Sequence, residues 1–476
     1  MTAEEIASVI HEGKHHLEEA GRRLTDHEIW GYAKRATHVR LDDGTESSYR
    51  RMFAILVLLK RGWDIVRFID EEICDKHLPL KAVAVNGAGS GLPPEMRLEE
   101  DPKTPLACLS HWSALDHEDF EQKQWPMLAP FFARGQRKSA WLYELPGTVV
   151  LPWIEKDTGS ARQGGYAFVS KVEIHPGHHT FDLTNASDGM FAVKHFRGQI
   201  PSETSNGASS TFRYLTRREF ENEIEILNRF SGDVHPHLIS LQAAFRHGDE
   251  YCVILPWADC DLVGFWKNTD PGSPLDKGNL LWMLDQCRGL ASGLQSIHLY
   301  QQTESVTQDD NRDSRTDKIF GRHGDIKPAN ILLFRNQDDL RDRGKLVITD
   351  FGLSRFHSLE SKSYLLNKDN ISVSMTYRPP ECDLDGAVLS NSFDIWSFGC
   401  ALLEFAAWYL GGWVLVNRFV ERRKVMNNPL FHGWNIDQFF ELVGPPEGGR
   451  GRGHARVNRR VQKVIPLVGS CSRFQT

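Results

Sequence analysis

An α+β architecture is predicted on three observations. Helical periodicity runs through residues 1–145, short strand-like runs follow one another from Thr148, and helix-length apolar patterns return after Leu280. With 476 residues, 40% hydrophobic and 25% charged, the composition is that of an ordinary globular protein. A formal charge of −7 gives no whole-chain attraction to nucleic acid or membrane. The eight cysteines are scattered without a CxxC pair, which predicts reduced thiols and an intracellular, cytoplasmic or nuclear, protein. The start, Met1 to Ile6, has no basic stretch leading into an apolar run, so no secretory signal is expected.

Residues 1–145 are expected to form an all-α region. Ile6, Val9 and Ile10 recur at helical spacing, and Tyr49 to Ile73 carries Met52, Phe53, Leu56, Leu58, Leu59, Ile65, Val66 and Ile69 between charges. Asn86–Pro94 is glycine-rich but framed by neither strand nor helix, so it reads as a loop. Strands are predicted at Thr148–Ile154, Tyr166–Ile174 and Met190–Lys194, in an antiparallel sheet. His175, His178 and His179 lie in a polar turn without a ligand partner and read as surface residues. Tyr251–Leu255 is a further strand running into Pro256, Leu280–His298 a helix, and Gln301–Lys318 a polar surface loop.

The chemistry concentrates in His323-Gly-Asp-Ile-Lys-Pro-Ala-Asn330, which places a carboxylate, a cation and an amide oxygen on one short loop. The next apolar run, Lys345–Thr349, ends in Asp350-Phe-Gly352. Together these two motifs resemble the catalytic and metal-binding segments of protein kinases. Lys327, two residues after the aspartate, resembles the serine/threonine branch. Phe191-Ala-Val-Lys194 resembles the third-strand lysine motif, and the Glu-x-x-Ile-Leu spacing selects Glu223 as its partner on the following helix.

The resemblance implies a bilobal fold, a small antiparallel β lobe and a larger helical lobe, over residues 146–476, with lobes at 146–257 and 258–476. It further implies ATP and Mg²⁺. Asp325 would orient the acceptor hydroxyl and accept its proton, Lys327 would stabilise the transferred phosphoryl, and Asn330 and Asp350 would hold metal. Lys194, held by Glu223, would grip the phosphates. Gly164 and Gly165 stand in the turn over the phosphates, where Arg162 and Ala167 replace the outer glycines of the family pattern. Val169, Ala192 and Leu332 would line the nucleotide. Behind Ile254, the Leu255 carbonyl and Trp257 amide would meet adenine. Leu227, Leu241, His323 and Phe351 would stack as a hydrophobic spine.

Downstream, Ser374-Met-Thr-Tyr-Arg-Pro-Pro-Glu381 resembles the segment that closes the activation loop, and Asp394 and Trp396 a buried helix beneath the catalytic loop. Ile395–Val416, with Glu404 as its only charge, is long enough to span a bilayer, but after that motif it reads as a core helix. Gly324 stands where many kinases carry an arginine for a loop phosphate, so activity independent of loop phosphorylation is expected. After Val443 the glycine-rich, basic segment offers no Asp-Pro-x-x-Arg signature to pair Glu381, and it lacks the interleaved aromatics of a nucleic-acid site. The helical extension, Leu-Pro-Trp-Ile-Glu, Pro-Trp-Ala and Gly-Gly-Trp resemble a group of fungal kinase-domain proteins. The expected activity is phosphate transfer to Ser/Thr hydroxyls of protein substrates. The rivals are a kinase-like ATP-binding scaffold and a small-molecule phosphotransferase, the latter because His-Gly-Asp also occurs there.

Overall fold

The structure is a computed structural model. It describes residues 2–40, 46–83, 95–99, 101, 103–133, 142–163, 167–181, 189–196, 199–201, 212–214, 217–229, 235–272, 277–299, 321–335, 342–350, 375–384, 390–425, 436–443 and 454–463. The chain divides into two compact units, Met1–Phe132 with Glu144–Trp153 and His175–His178, and Ala133–Tyr143 with Ile154–Ile174 and His179–Thr476.

In the first unit, α1 (Ala3–Glu12), α2 (Lys14–Glu19), α3 (Asp26–Thr37), α4 (Arg50–Leu58), α5 (Ile65–Asp70) and α6 (Ala114–Lys123) surround a core of Ile6, Ile10, Phe53, Leu56, Phe68 and Phe120. Reciprocal caps start three of them, at Thr2 with Glu5, Thr25 with Glu28 and Ser113 with Asp116, satisfying amides that the first turn leaves open. The run from Tyr49 to Ile73 is broken rather than continuous. Lys60 takes a positive φ of 59°, and Gly62 passes so close to α1 that a Cβ there would stand 2.4 Å from Val9 Cγ1.

The expectation of an all-α region is corrected. Leu80–Val83 pairs antiparallel with Glu95–Leu98, and Val39–Arg40 with Glu46–Ser47. The buried Gln124 amide accepts from the Leu80 N–H and donates to its carbonyl, at 2.8 Å each, so a side chain from beyond α6 fixes the four-residue strand. So short a strand carries almost no local pattern. The Asn86–Pro94 stretch lies outside the described residues.

A six-stranded sheet has the order Leu142–Leu145, Ala243–His247, Glu250–Pro256, Met190–Phe196, Ala167–Ile174, Trp153–Gln163. The first predicted strand begins at Trp153, not Thr148. Pro152 has no N–H for a ladder, and the Trp153 amide donates locally to Leu151 O at 2.8 Å. Leu142–Leu145 is an edge strand that periodicity had assigned to the helical region. Along Met190–Phe196 burial alternates, with Phe191, Val193 and His195 buried on one face and Ala192, Lys194 and Phe196 on the other.

Beyond the sheet come α7 (Arg217–Arg229), α8 (Leu262–Asn268), α9 (Lys277–His298) and α10 (Ser392–Arg423). Cys260–Asp261, Ile331–Phe334 and Lys345–Ile348 form a three-stranded antiparallel sheet that presents the catalytic segment. Among the described residues one helix, α10, is long and apolar enough to cross a membrane; 44% of that window is buried, and it is broken at Gly411 and Gly412. Three of its charges, Asp394, Glu404 and Arg423, are buried within the unit and each is paired there, as a core helix requires; Arg418, Glu421 and Arg422 are exposed.

Candidate active site

The loop His323–Asn330 is shaped from beneath by Asp394 of α10. This carboxylate, 0% exposed, accepts from the backbone N–H groups of His323 and Gly324 at 2.8 Å each and lies 2.8 Å from His298 Nε2. Burial alone pushes its carboxyl up; the His298 contact, the field of His323 and the two amides outweigh that and hold it below its ordinary value. Gly324 has φ 85°, so its glycine serves a left-handed turn whose amide must reach Asp394.

His323 is fully buried, which pushes its imidazole below the ordinary value and keeps it neutral. Its Nε2–H donates to Thr349 O (3.1 Å), and Nδ1 is left to accept the Asp325 amide (3.3 Å). One ring thus ties the catalytic loop to the end of the Lys345–Ile348 strand.

Asp325 is 7% exposed. Lys327 Nζ donates to its Oδ2 at 2.6 Å, and Asn330 Nδ2 donates to the same oxygen and to the Asp325 carbonyl, 2.9 Å each. Lys194 reaches across from the sheet to donate to Asp350 Oδ1 at 2.9 Å. The Lys194 charge holds the Asp350 carboxyl down to about 2 against the opposing effect of burial, and Asp350 takes a positive φ of 68°. Two hydrogen-bonded groups result, Lys194 with Asp350 and Asp325 with Lys327 and Asn330, and the charge of Lys327 acts on Asp350.

Val169 and Ala192 belong with them. Val169 is paired directly with Lys194 across the ladder, and Ala192 lies two residues before it, so all three share a face. Leu332 is partly buried in the three-stranded sheet, opposite Val347. Leu227, Leu241 and His323 are buried. Glu223 lies on α7, with its side chain outside the described residues; Gly164, Gly165, Phe351 and Ser374 are also outside them.

The hinge expectation is corrected by strand register. Leu255 is paired with Ala192 and so lies on the Lys194 face, whereas Ile254 is paired with Val193 on the opposite one. The Trp257 N–H is directed inward, donating to Met190 O at 3.2 Å. Backbone groups alternate in direction along an extended strand, so the groups of opposite parity are the Pro256 carbonyl and the Ala258 N–H. Spacing from the catalytic loop could not reveal this one-residue shift; only the pairing with Met190–Phe196 does.

Asp350 and Asn330 suit a hard divalent cation. The first is held ionised, and the second spends its NH₂ on Asp325, which leaves its amide oxygen as an acceptor.

An arginine that the sequence did not single out organises the end of the unit. Arg423, 0% exposed, donates to Glu404 Oε1 at 2.6 Å and to both Asp437 oxygens at 2.8 and 3.0 Å, with Phe439 and Phe419 rings 4.0 and 4.4 Å from its guanidinium. Tyr377 OH donates to the other Glu404 oxygen at 2.7 Å. Phe440–Val443 pairs with His454–Val457, which shows a local strand pair where the sequence offered no signature. Glu381 Oε2 is buried with no hydrogen-bond partner among the described residues. Glu381→Met is accordingly expected to change stability by no more than about 1 kcal/mol in chemical denaturation, since no bond is given up; a loss of several would reveal a partner.

The sequence is also similar to known proteins. Residues 317–410 match the family described as the protein kinase domain. Similar proteins include one from Dictyostelium discoideum whose name places it among cyclin-dependent serine/threonine-protein kinases, 44% identical over 128 residues, which are 26% of this chain and 15% of that protein. Cyclin-dependent kinase 2 of Caenorhabditis elegans is 34% identical over 128 residues, 26% of this chain and 27% of its own length. A protein of Arabidopsis thaliana named as a leucine-rich repeat receptor-like protein kinase is 31% identical over 192 residues, 40% of this chain and 23% of its own. The chain spans 15% to 27% of the length of these relatives. The comparisons support a protein kinase domain with serine/threonine kinase relatives.

Proposed function

We propose that the chain transfers the γ-phosphoryl group of ATP to serine or threonine hydroxyls of protein substrates, in the cytoplasm or nucleus. The reading carries two lobes over residues 146–476, the five sheet strands within Trp153–Pro256 forming one and α8 onward the other, with residues 1–145 as an extension. The observation that carries it is the pairing of Lys194 with Asp350 beside Asp325 bonded to Lys327 and Asn330, with the charge of Lys327 acting on Asp350.

In this reading the Pro256 carbonyl and Ala258 N–H receive the adenine edge, and Ala192, Val169, Leu255 and Leu332 cover its faces. Lys194 holds the phosphates, and Asp325 orients the hydroxyl and takes its proton. Lys327, already 2.6 Å from Asp325 Oδ2, balances charge on the transferred group. Mg²⁺ at Asp350 and Asn330 would neutralise phosphate charge. Gly324 offers no side chain to bind a loop phosphate, so the reading carries activity without phosphorylation of the 353–377 segment.

The test is a competition between generic Ser/Thr proteins, tyrosine peptides and a panel of small alcohols for labelled phosphate. Labelled phosphoserine or phosphothreonine is expected. Label on the alcohols alone would replace this reading with a small-molecule phosphotransferase, and ATP binding with no transfer to any acceptor would leave a scaffold.

A further inference from the structure

On the sheet face opposite Lys194, three side chains aim ligand atoms at one point. His195 and Cys252 are directly paired across neighbouring strands, and Glu250, two residues before Cys252, shares their face. His195 Nδ1 lies 3.1 Å from Glu250 Oε2 and 3.4 Å from Cys252 Sγ, and the three ligand atoms all fall within 4.8 Å of one another. On the far side of the ring, His195 Nε2 lies 2.9 Å from Ser170 Oγ, and the Phe168 ring stacks on the imidazole at 4.3 Å and 3°.

We propose that His195, Glu250 and Cys252 form a binding site for a borderline divalent cation of the zinc class. Sulfur, nitrogen and oxygen donors on a tetrahedral zinc stand about 3.3–3.6 Å apart, given bonds of about 2.0–2.3 Å. The two closest separations here, 3.4 and 3.1 Å, already approach those edges. Fixing the ring needs no metal, but its outer bond prepares one: when Nε2–H donates to Ser170, the Nδ1 lone pair is directed at the carboxylate and the sulfur. A second acceptor on a metal-binding histidine characteristically sets the tautomer in this way. Without a cation, the other tautomer donates Nδ1–H to Glu250 Oε2 and accepts the Ser170 hydroxyl at Nε2, so metal binding moves the ring proton to Nε2.

The Glu250 side chain is 43% exposed, beside the hairpin turn at Gly248, so the site opens to solvent on one side and leaves room for a water as a further ligand. The contact with His195, working against burial and joined by the smaller fields of Lys156 and His247, favours the charged form of Glu250. Binding would release the Cys252 thiol proton to solvent. The constellation Ser170–His195–Glu250 also has the order of a hydrolytic triad, but Ser170 is 2% exposed, and no substrate reaches its hydroxyl. The site is separate from the phosphate-transfer reading, and its test reads metal binding, so either can fail without the other.

The experiment titrates the purified full chain with Co²⁺ and, in chelator competition, with Zn²⁺. Stoichiometric uptake with a thiolate-to-cobalt charge-transfer band is expected. Cys252→Ser should abolish the band and His195→Gln should lower affinity by at least about 100-fold, while Ser170→Ala keeps the band and weakens affinity about 10–100-fold. Glu250→Gln, at a half-exposed position that tolerates change, should also weaken binding. No band in the natural chain, a band that survives Cys252→Ser, or undiminished affinity in Glu250→Gln would each overturn the site. Circular dichroism of every metal-free variant separates loss of ligand from loss of fold.

Discussion

Replacing Arg423 with methionine is expected to lower stability by about 3–5 kcal/mol, because it leaves Glu404 buried without its cation beside the partly buried Asp437. Glu404 is 2% exposed, and its pKa is already raised by burial even with Arg423 beside it. Asp437 loses both its bonds to the guanidinium, and the Phe419 and Phe439 rings lose the planar group they flank. Chemical denaturation would show a shifted midpoint. A shift under about 1 kcal/mol would mean that the end of the unit does not depend on this network. The contrast with Glu381→Met is itself informative, since one substitution breaks bonds and the other gives up none.

Lys194→Met is expected to slow phosphate transfer about 10²–10³-fold, the loss typical of removing one donor from a preorganised charge site. It should also alter the acid side of the stability profile. Asp350 has a folded pKa of about 2, below its ordinary 3.8, so its pairing contributes stability that is present above that ordinary value and fades as pH falls toward 2. The Asp350 side chain is 45% exposed, so solvent screening reduces the contribution to about 1 kcal/mol or less. In Lys194→Met that contribution should already be missing at neutral pH. Unfolding curves at pH 3 and pH 7 would check it; an unchanged acid dependence would show that another group governs Asp350.

The residues proposed for catalysis could be picked out because their motifs are local. Asp325, Lys327 and Asn330 occupy one short loop, and Asp350 follows its own strand, so residue type and order carried most of the information. Pairing between distant strands was not legible. The direction of the Trp257 N–H was misread because spacing does not report which backbone groups face Met190–Phe196. The His195, Glu250 and Cys252 cluster was invisible for the same reason, since a cross-strand register assembles it.

Strands of four residues, Leu80–Val83 and Leu142–Leu145, were lost within a helical reading because neither is long enough to display a period. Arg423 ends a long apolar helix beside Arg422, and nothing in the sequence says which of the two turns inward. Its importance follows from contacts with Glu404 and Asp437.

The most direct test of the account is phosphate transfer by the purified chain beside an Asp325→Asn variant, with labelled ATP, Mg²⁺ and a Ser/Thr protein acceptor. Asparagine preserves the shape of the loop but cannot take the hydroxyl proton. The account predicts retained nucleotide binding and a rate lower by about 10²–10⁴-fold, the usual contribution of a positioned general base. Equal rates in the two chains would contradict it.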